Sequence, residues 1–406
     1  MKRLLLTLLA LTLASCSSTA KQRACYLEPF YAGELKIAAC EAERQLPKSS
    51  HNVCLTLDRA QIALIDGDFE TAKRNFLSAI DSIERFNLSC PAENVLQFAL
   101  HDEASSCPGD DFEQILARLY LAFTLDLMGD SSGFLALLRQ AEEAQLKKEF
   151  LYKSSRLTEN FFLYQNPLAK FLLAAALEKK GETGNARALY KQAGIPVLGP
   201  AEGSATVIVL CHSGNVPIKV SRLYPASAAA LYFDAAFQPR ISSLTGIPAP
   251  VLVQPHLGQA LCASANGVPL QPVLPIAWIA REELHRKIPA IVGRGLLRYA
   301  ARRSCVEAAD AQDPLFGALA DLAVTIANSQ TRADERCWST LPHEISLARF
   351  DLPPGRHEMT LACGGEKPVT AQLELPKNAL CVLHLFHLHP GQTKVLIPTR
   401  FLGDPL

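Results

Sequence analysis

The chain has 406 residues with 40 basic and 40 acidic side chains, so its formal net charge is zero. This balance argues against a nucleic-acid-binding protein, which would carry an excess of basic residues. Hydrophobic residues make up 49% of the chain and charged residues 20%, an ordinary globular composition. The length suggests two or three domains of roughly 150 residues each.

The N-terminus has the pattern of an export signal. Lys2 and Arg3 precede an apolar run, residues 4–13, which has the length of a signal-peptide core and is too short to span a bilayer. Residues 13–16, Leu-Ala-Ser-Cys, then resemble the bacterial lipobox. The resemblance implies cleavage before Cys16, a diacylglycerol on its thiol and a fatty acyl chain such as palmitate on the new amino group. We therefore expect residues 1–15 to be a lipoprotein signal peptide.

The expected anchor also predicts a location. Two or three acyl chains hold a protein stably on a membrane, because each buried methylene group contributes about 0.8 kcal/mol. Ser17 follows the cysteine, whereas signals with aspartate at that place resemble inner-membrane retention signals. We expect the protein in the outer membrane, facing the periplasm or exposed at the surface. The alternative is an ordinary signal peptide that contains a cysteine.

The chain contains 12 cysteines, and lipidation of one of them would leave an odd number. Their spacing contains no C-x-x-C, which argues against a zinc site. Disulfides form outside the cytoplasm, so we expect bridges. Cys90 with Cys107, and Cys363 with Cys381, are candidate pairs because they are neighbours in sequence. The alternative is that several are simply buried apolar residues.

The first half of the chain has helical periodicity from residue 26 to residue 193. Three windows share one spacing of small residues, a glycine and a large apolar residue. The windows contain Ala60, Gly67, Ala72 and Phe76; Ala122, Gly129 and Leu138; and Ala174, Gly181, Ala186 and Tyr190. They resemble tetratricopeptide repeats, in which small residues let paired helices approach and a glycine ends the first helix.

The windows also depart from that repeat. They are farther apart than its period of about 34 residues. Thr56, Arg118 and Lys170 stand where the repeat usually has tryptophan. Residues 16–193 are therefore predicted to be a tetratricopeptide-like domain. Stacked helix pairs form a curved surface that commonly binds a protein or peptide, and the alternative is a spacer.

The second half begins after residues 194–204, a glycine- and proline-rich stretch that predicts a linker. From residue 205 to 280 the periodicity is that of strands, including residues 206–211, 229–237 and 251–254. Residues 281–329 are predicted to form two helices. Lys287, Arg294 and Arg298 flank the apolar face of the first helix as a basic edge, expected to be solvated.

Strands return between residues 344 and 398. Residues 345–352 and 357–363 are expected to pair as a hairpin around Pro353-Pro354-Gly355. The predicted fold class is α+β. A tetratricopeptide-like array is followed by a mixed domain, residues 205–406, with a β-sandwich-like sheet and two inserted helices.

One compact motif lies between the second inserted helix and the last strands. Residues 332–342 read Arg-Ala-Asp-Glu-Arg-Cys-Trp-Ser-Thr-Leu-Pro and continue through Ala348-Arg349 to residues 352–355, Leu-Pro-Pro-Gly. This run resembles a group of uncharacterised bacterial envelope lipoproteins with a tetratricopeptide-like half, companions of CsgG-type secretion lipoproteins. The resemblance implies the compartment and the partner class, and no catalytic residues come with it.

Candidate groups for chemistry are few. His387 and His389 share one face of a predicted strand and His384 faces the other way, so the three cannot ligate one metal from this strand alone. Cys211 and His212 are nucleophile and base types, but neighbours on a strand point to opposite faces. The sequence predicts no catalytic residue, cofactor or metal site.

Together these features favour a lipid-anchored envelope protein. We expect it to act as a protein-binding adaptor, or as an assembly or secretion scaffold, through its helical repeats. Its partners would be the membrane, through Cys16, and a protein or peptide, with a CsgG-type secretion lipoprotein as one candidate. The alternatives are a periplasmic enzyme on cell-wall or glycan substrate and a metal or small-ligand binder.

Overall fold

A computed structural model describes residues 19–45, 52–88, 107–154, 166–195, 197, 203–225, 246–255, 261–330, 332–389 and 392–403. Helices make up the first half of the described chain, and strands with two inserted helices make up the second. The predicted α+β class is therefore confirmed. The expected signal peptide, Cys16, Cys90 and the expected strand at residues 229–237 lie outside the described residues.

Helix pairs build the first half of the described chain. They are α1 (Thr19–Tyr31) and α2 (Leu35–Gln45), α3 (Val53–Asp66) and α4 (Phe69–Leu88), α5 (Asp111–Leu127) and α6 (Ser131–Ser154), and α7 (Pro167–Lys179) and α8 (Thr183–Ala193). The helices of each pair contact one another, and the second helix of each pair contacts the first helix of the next. The pairs therefore stack in chain order.

A glycine follows the first helix of every described pair. Gly33, Gly67, Gly129 and Gly181 have φ values of +74°, +96°, +81° and +83°. This left-handed conformation favours glycine because a Cβ atom is strained there, and it is a common way to end a helix. The short turn that results lets the second helix fold back on the first.

Three sheets form the second half of the described chain. Their strands are β1 (Ala205–Ser213), β2 (Ile218–Pro225), β3 (Gly246–Val253), β4 (Ala263–Ala265), β5 (Val268–Pro269), β6 (Gln271–Leu274), β7 (Glu344–Leu352), β8 (Gly355–Cys363), β9 (Val369–Leu375), β10 (Leu380–His389) and β11 (Gln392–Leu396). A five-stranded sheet has the order β11-β10-β1-β7-β6, a four-stranded sheet has the order β5-β4-β8-β9, and β2 pairs with β3.

The five-stranded sheet is the middle layer of the molecule. Val207 and Val209 of β1 pack into a core that includes Met359 of the four-stranded sheet. Ile208 and Leu210, which alternate with them, pack into the core of the helical half. Alternate side chains of a strand point to opposite faces. The five-stranded sheet therefore packs against the helices with one face and against the four-stranded sheet with the other. The two halves therefore share a core despite the breaker-rich residues 194–204.

Two inserted helices, α9 (Ile276–Asp310) and α10 (Pro314–Gln330), form a second helical hairpin. Helix α9 begins at Ile276, before the predicted start, and continues through Pro289. The β2–β3 pair packs on α9, with Ile247 against Val292. Within the described ranges, no helix has both the length and the apolar content needed to cross a membrane.

The predicted hairpin of residues 345–352 and 357–363 is wrong. Strand β7 pairs with β1 and β6, whereas β8 pairs with β4 and β9. The Pro353-Pro354-Gly355 turn therefore carries the chain from one sheet to the facing sheet. Two-residue hairpin turns favour residues with positive φ, whereas proline fixes φ near −65° and donates no backbone hydrogen bond.

The predicted pairing of Cys363 with Cys381 is also wrong. The Sγ atom of Cys363 lies 3.8 Å from that of Cys211, because β8 faces β1. Cys107 lies beside Cys54 instead, with 3.9 Å between the sulfur atoms. All described cysteines are thiols. Nearness in sequence did not predict either cysteine pair, because folding brings cysteines together that are distant in sequence.

Candidate functional site

The compact sequence motif lies at the centre of the protein. Residues 333–341, which we call the inserted segment, have no helix or strand, and all of them except Asp334 are buried. A buried irregular segment needs partners for its backbone polar groups. Those partners come from the first helices of three pairs on one side and from β2 on the other.

Helix α1 holds the beginning and the later part of the inserted segment. The Nη1 atom of Arg23 donates a hydrogen bond to the backbone oxygen of Glu335 at 2.7 Å. The Tyr31 hydroxyl donates to the backbone oxygen of Ser339 at 3.3 Å. Both bonds use the backbone of the segment, so they fix its path independently of its side chains.

Helices α3 and α5 make the same kind of contact. The Thr340 amide donates to Oδ1 of Asp58 at 2.8 Å, and Nε2 of Gln61 donates to the Thr340 oxygen at 2.9 Å. The Trp338 amide donates to Oε1 of Glu113 at 2.7 Å. Side chains that bind the backbone of an extended chain are the means by which a groove holds a peptide. Here the peptide belongs to the same chain.

Trp338 is the apolar anchor of the inserted segment. Its side chain is fully buried. The centre of its ring lies 6.0 Å from that of Phe76 and 5.3 Å from that of Tyr120. Its Nε1 donates to the hydroxyl of Thr340 at 3.1 Å, so the polar atom of the indole is also satisfied.

Strand β2 closes the other side of the segment. The Ser221 amide donates to Oε1 of Glu335 at 2.7 Å, and the Ala333 amide donates to the Ser221 hydroxyl at 3.0 Å. The Lys219 amide lies 3.4 Å from the Sγ atom of Cys337. The segment therefore joins the helical half to the β2–β3 pair.

A buried charge cluster lies beside the segment at the start of α5. Lys219 Nζ lies 2.6 Å from Oδ2 of Asp110, and Lys287 Nζ lies 3.2 Å from Oδ1 of the same carboxylate. Burial alone would raise the pKa of Asp110, but the two ammonium groups lower it well below its usual value. Lys287 is thus part of an ion-pair cluster and Arg298 is buried, so the expected solvated basic edge is wrong for these two residues, whereas Arg294 is exposed as expected.

Two further carboxylates cap the start of α5. Glu283 of α9 accepts from the backbone amides of Asp111, at 2.8 Å, and Phe112, at 3.2 Å. Glu113 accepts from the Asp110 amide at 2.7 Å. Burial, with Asp110 nearby, raises the pKa of Glu113 to about 8. The positive end of α5 therefore attracts carboxylates from two parts of the chain.

His384 and His387 lie on opposite faces of β10, as expected, and the side chain of His389 lies outside those that the structure describes. His384 is fully buried on the helical side, where its Nδ1 lies 3.1 Å from Nε2 of His212. His212 Nδ1 in turn lies 3.1 Å from the Tyr120 hydroxyl. Burial lowers the pKa of His384 to about 3 and that of His212 well below its usual value, so both rings are neutral. His387 Nε2 lies 2.9 Å from Oε1 of Glu366.

The histidines do not form a metal centre with one another. In the described part of the chain, no group of three or more His, Cys, Asp or Glu side chains could hold a metal ion. Cys211 packs in the core between the five-stranded and the four-stranded sheet, which we call the sandwich core, whereas His212 contacts Tyr120 on the helical side. The two side chains therefore point to opposite faces of β1. The predicted placement of Cys211 and His212 on opposite faces of their strand is confirmed.

The repeat-packing residues chosen from the sequence lie in three of the helix pairs. Fully or almost fully buried are Ala60, Ala72, Phe76, Ala122, Leu138, Ala174 and Ala186. Gly67, Gly129 and Gly181 follow the first helices of their pairs. Tyr190 is half-buried, and its hydroxyl accepts from Nη1 of Arg349 at 2.6 Å, which joins α8 to β7.

A small polar pocket borders the inserted segment. Arg23, Tyr26, Asp58, Arg336 and Cys337 are among its lining residues. Burial raises the pKa of Asp58 to about 6, and the Tyr26 hydroxyl donates to Oδ2 of Asp58 at 2.6 Å. Burial also raises the pKa of the Cys337 thiol, which Nη1 of Arg23 contacts at 3.3 Å. The thiol is therefore a neutral hydrogen-bonding group of the site.

The site was not found from the sequence, although its central motif was. Asp58 and Gln61 are polar residues that stand among the apolar residues on the buried side of α3. A charged side chain on a buried face needs a partner, and that pattern is the signal that could have identified them.

Comparison with known proteins found no matching family model, no matching curated protein and no matching solved structure.

Proposed function

We propose that the protein is a lipid-anchored component of the cell envelope that acts as a protein-binding adaptor or assembly scaffold. The observation that carries this proposal is an exposed apolar face on α10. The helical array and the expected acyl anchor support it further.

The apolar face of α10 consists of four large side chains. Leu315, Phe316, Leu319 and Leu322 are 67%, 62%, 48% and 56% exposed. Their spacing places them on one side of the helix. The side packed on α9 instead contains the buried Gly317, where an added Cβ would lie 2.7 Å from the Cα atom of Asp310. The helix thus buries a small residue and exposes its large ones, which is typical of a surface that contacts a partner.

The charges around this face favour a protein over an anionic lipid surface. Asp310, Asp313 and Asp321 are exposed acidic residues on or beside α10. Anionic lipid would be repelled by the exposed carboxylates of Asp310 and Asp313, whereas a protein can offer an apolar surface with basic residues at its rim.

We take the helical array to be tetratricopeptide-like. Its pairs stack in order, a glycine follows each first helix, and Ala60, Ala122 and Ala174 are fully buried in the first helices. The first helices hold an extended segment through its backbone, as a peptide-binding array would. Because residues 333–341 of the same chain already occupy the surface of the first helices, we assign the external partner to α10. A CsgG-type secretion lipoprotein is one candidate for it.

The acyl anchor at Cys16 would place this surface at the outer membrane. Helix α1 begins at Thr19, so the anchor would lead directly into the first helix pair. Mass spectrometry of the N-terminal peptide tests this part. We expect an acylated cysteine at position 16, and release of a Cys16→Ala variant from the membrane. An intact leader or an unmodified thiol in the processed protein would contradict it.

Purification in mild detergent, at native expression, tests the adaptor role. We expect a complex of constant composition that a Leu319→Asp variant loses and a Leu77→Asp variant keeps. Leu77 of α4 is a matched control because it is 49% exposed, against 48% for Leu319. Equal partner content in the two variants, or no stable partner for the unmodified protein, would contradict the proposal.

A further inference from the structure

Two pairs of buried cysteines lie with their sulfur atoms in contact. The Sγ atoms of Cys54 and Cys107 are 3.9 Å apart, and those of Cys211 and Cys363 are 3.8 Å apart. All four side chains are at least nine-tenths buried. A disulfide has a sulfur–sulfur distance of about 2.05 Å, so the two sulfur atoms of either pair must approach by roughly 2 Å to form a bond.

We propose that Cys54–Cys107 and Cys211–Cys363 are the two structural disulfides of the mature protein. The pairing follows from the fold alone. The presence of an oxidant rests on the proposed function, because disulfides form readily outside the cytoplasm.

The first bridge ties the start of one helix pair to the approach to the next. Cys54 lies in the first turn of α3, and Cys107 lies shortly before α5. The Val53 amide donates to the Cys107 oxygen at 3.4 Å, so the two backbones already run side by side. The Cys54 thiol donates a hydrogen bond to Oε2 of Glu113 at 3.7 Å, which holds its side chain in place. The bridge closes a stretch of 53 residues that contains α4.

The second bridge joins the two facing sheets. Cys211 belongs to β1 in the middle layer, and Cys363 is the last residue of β8 in the four-stranded sheet. Both pack in the sandwich core. The closed stretch spans 152 residues and includes the whole α9–α10 hairpin. A bridge of this length removes a large number of conformations from the unfolded chain.

The chemistry is ordinary thiol–disulfide exchange. One thiol of a pair loses its proton and attacks the disulfide of an oxidant, which is either a disulfide oxidoreductase or oxidised glutathione. The second thiol loses its proton and displaces the oxidant from the mixed disulfide that results. Each pair thus gives up two electrons and two protons, and the oxidant leaves as a dithiol or as two thiols.

The remaining described cysteines provide controls. Cys337 and Cys381 are buried to a similar degree. In the described part of the chain, neither sulfur atom contacts the sulfur atom of a second cysteine. Cys25, Cys40, Cys262 and Cys305 are exposed. Burial alone therefore does not separate the proposed pairs from the controls, whereas the contact between sulfur atoms does.

Differential alkylation with peptide mapping tests the pairing. The full-length protein is reduced and unfolded, refolded in a buffer of reduced and oxidised glutathione so that the cysteines are accessible while bridges form, denatured in N-ethylmaleimide without reductant, and digested. We expect crosslinked peptides for residues 54 with 107 and 211 with 363, and maleimide on Cys337 and Cys381. Maleimide on the four proposed residues, or links such as Cys90–Cys107 or Cys363–Cys381, would overturn the pairing.

The same mapping on protein taken directly from the envelope separates the two proposals. Bridges that form with glutathione but are missing from the cellular protein would leave the pairing intact and contradict the proposed location. A stability measurement adds a second readout. Reductant should lower the Tm of the oxidised protein by about 5 °C or more, and should not lower that of a variant with serine at all four positions. An unchanged Tm in both would also overturn the structural role.

Discussion

At the scale of single residues, the buried ionisable groups near the centre of the protein depend on one another. Tyr120, His212 and His384 form a chain of ring contacts and hydrogen bonds between the helices and the middle sheet. Tyr26 and Asp58 form another such contact. In the folded protein each of these groups is either neutral or hydrogen-bonded. The free energy of unfolding therefore depends on pH.

Acid should destabilise the fold through the two buried histidines. Both have folded-state pKa values below the ordinary 6.5, so below that pH the unfolded chain binds more protons than the folded chain. Stability must then fall as the pH drops from 6.5 towards the pKa of His384, about 3. Each histidine contributes about 1.4 kcal/mol per pH unit to the slope.

A His384→Phe variant isolates this contribution. Its free energy of unfolding should fall with acid less steeply than that of the unmodified protein, by about 1.4 kcal/mol per pH unit between pH 6 and pH 4. Comparison of the two proteins cancels the opposite contribution of Glu113, whose raised pKa makes the fold less stable as the pH rises towards 8. Denaturant unfolding at several pH values measures the slopes, and equal slopes would contradict the assignment.

At the scale of elements, the ion-pair cluster fixes β2 and α9 to the start of α5. Lys219 lies on β2, Lys287 lies on α9, and both contact Asp110. Removal of one partner from a buried pair is costly because the other charge stays buried without compensation. The cluster is therefore a specific connection between three elements that are distant in sequence.

A Lys219→Met variant should lose about 3 kcal/mol of unfolding free energy, the lower end of the cost of a broken buried pair, because Lys287 still contacts Asp110. An added Asp110→Asn substitution should restore part of that loss, since the carboxylate that Lys287 alone compensates incompletely is then removed. A Lys147→Met variant is the control, because Lys147 and Glu143 form an ion pair whose side chains are 73% and 65% exposed. It should change stability by less than about 1 kcal/mol. Equal losses at Lys219 and Lys147 would contradict the role of the cluster.

The helices and strands could largely be located from the sequence, but their partners could not. The small residues and glycines around Gly67, Gly129 and Gly181 predict helix pairs because the signal is local. The assignment of β7 and β8 to different sheets depends on contacts with β1 and β4, which no local pattern records. The inserted segment was recognised only as a compact motif, because its order depends on side chains such as Arg23 and Asp58, far away in the chain.

At the scale of the whole molecule, the middle sheet joins the two halves into one packed structure. One side of β1 belongs to the core of the helices and the other side belongs to the sandwich core. The inserted segment lies between β2 and the first helices of three pairs, and its contacts with both connect the two halves further. The α9–α10 hairpin presents four large apolar side chains together on one face of α10.

The most direct measurement of the proposed adaptor role is photo-crosslinking in intact cells. A photoreactive amino acid is placed at position 319 of α10 or, as a control, at position 77 of α4, and the protein is expressed at its native level. We predict one protein adduct of constant mass at position 319, absent at position 77 and lost when Phe316→Asp is added. Identical adducts at the two positions, adducts to lipid alone, or no adduct at position 319 would contradict the account.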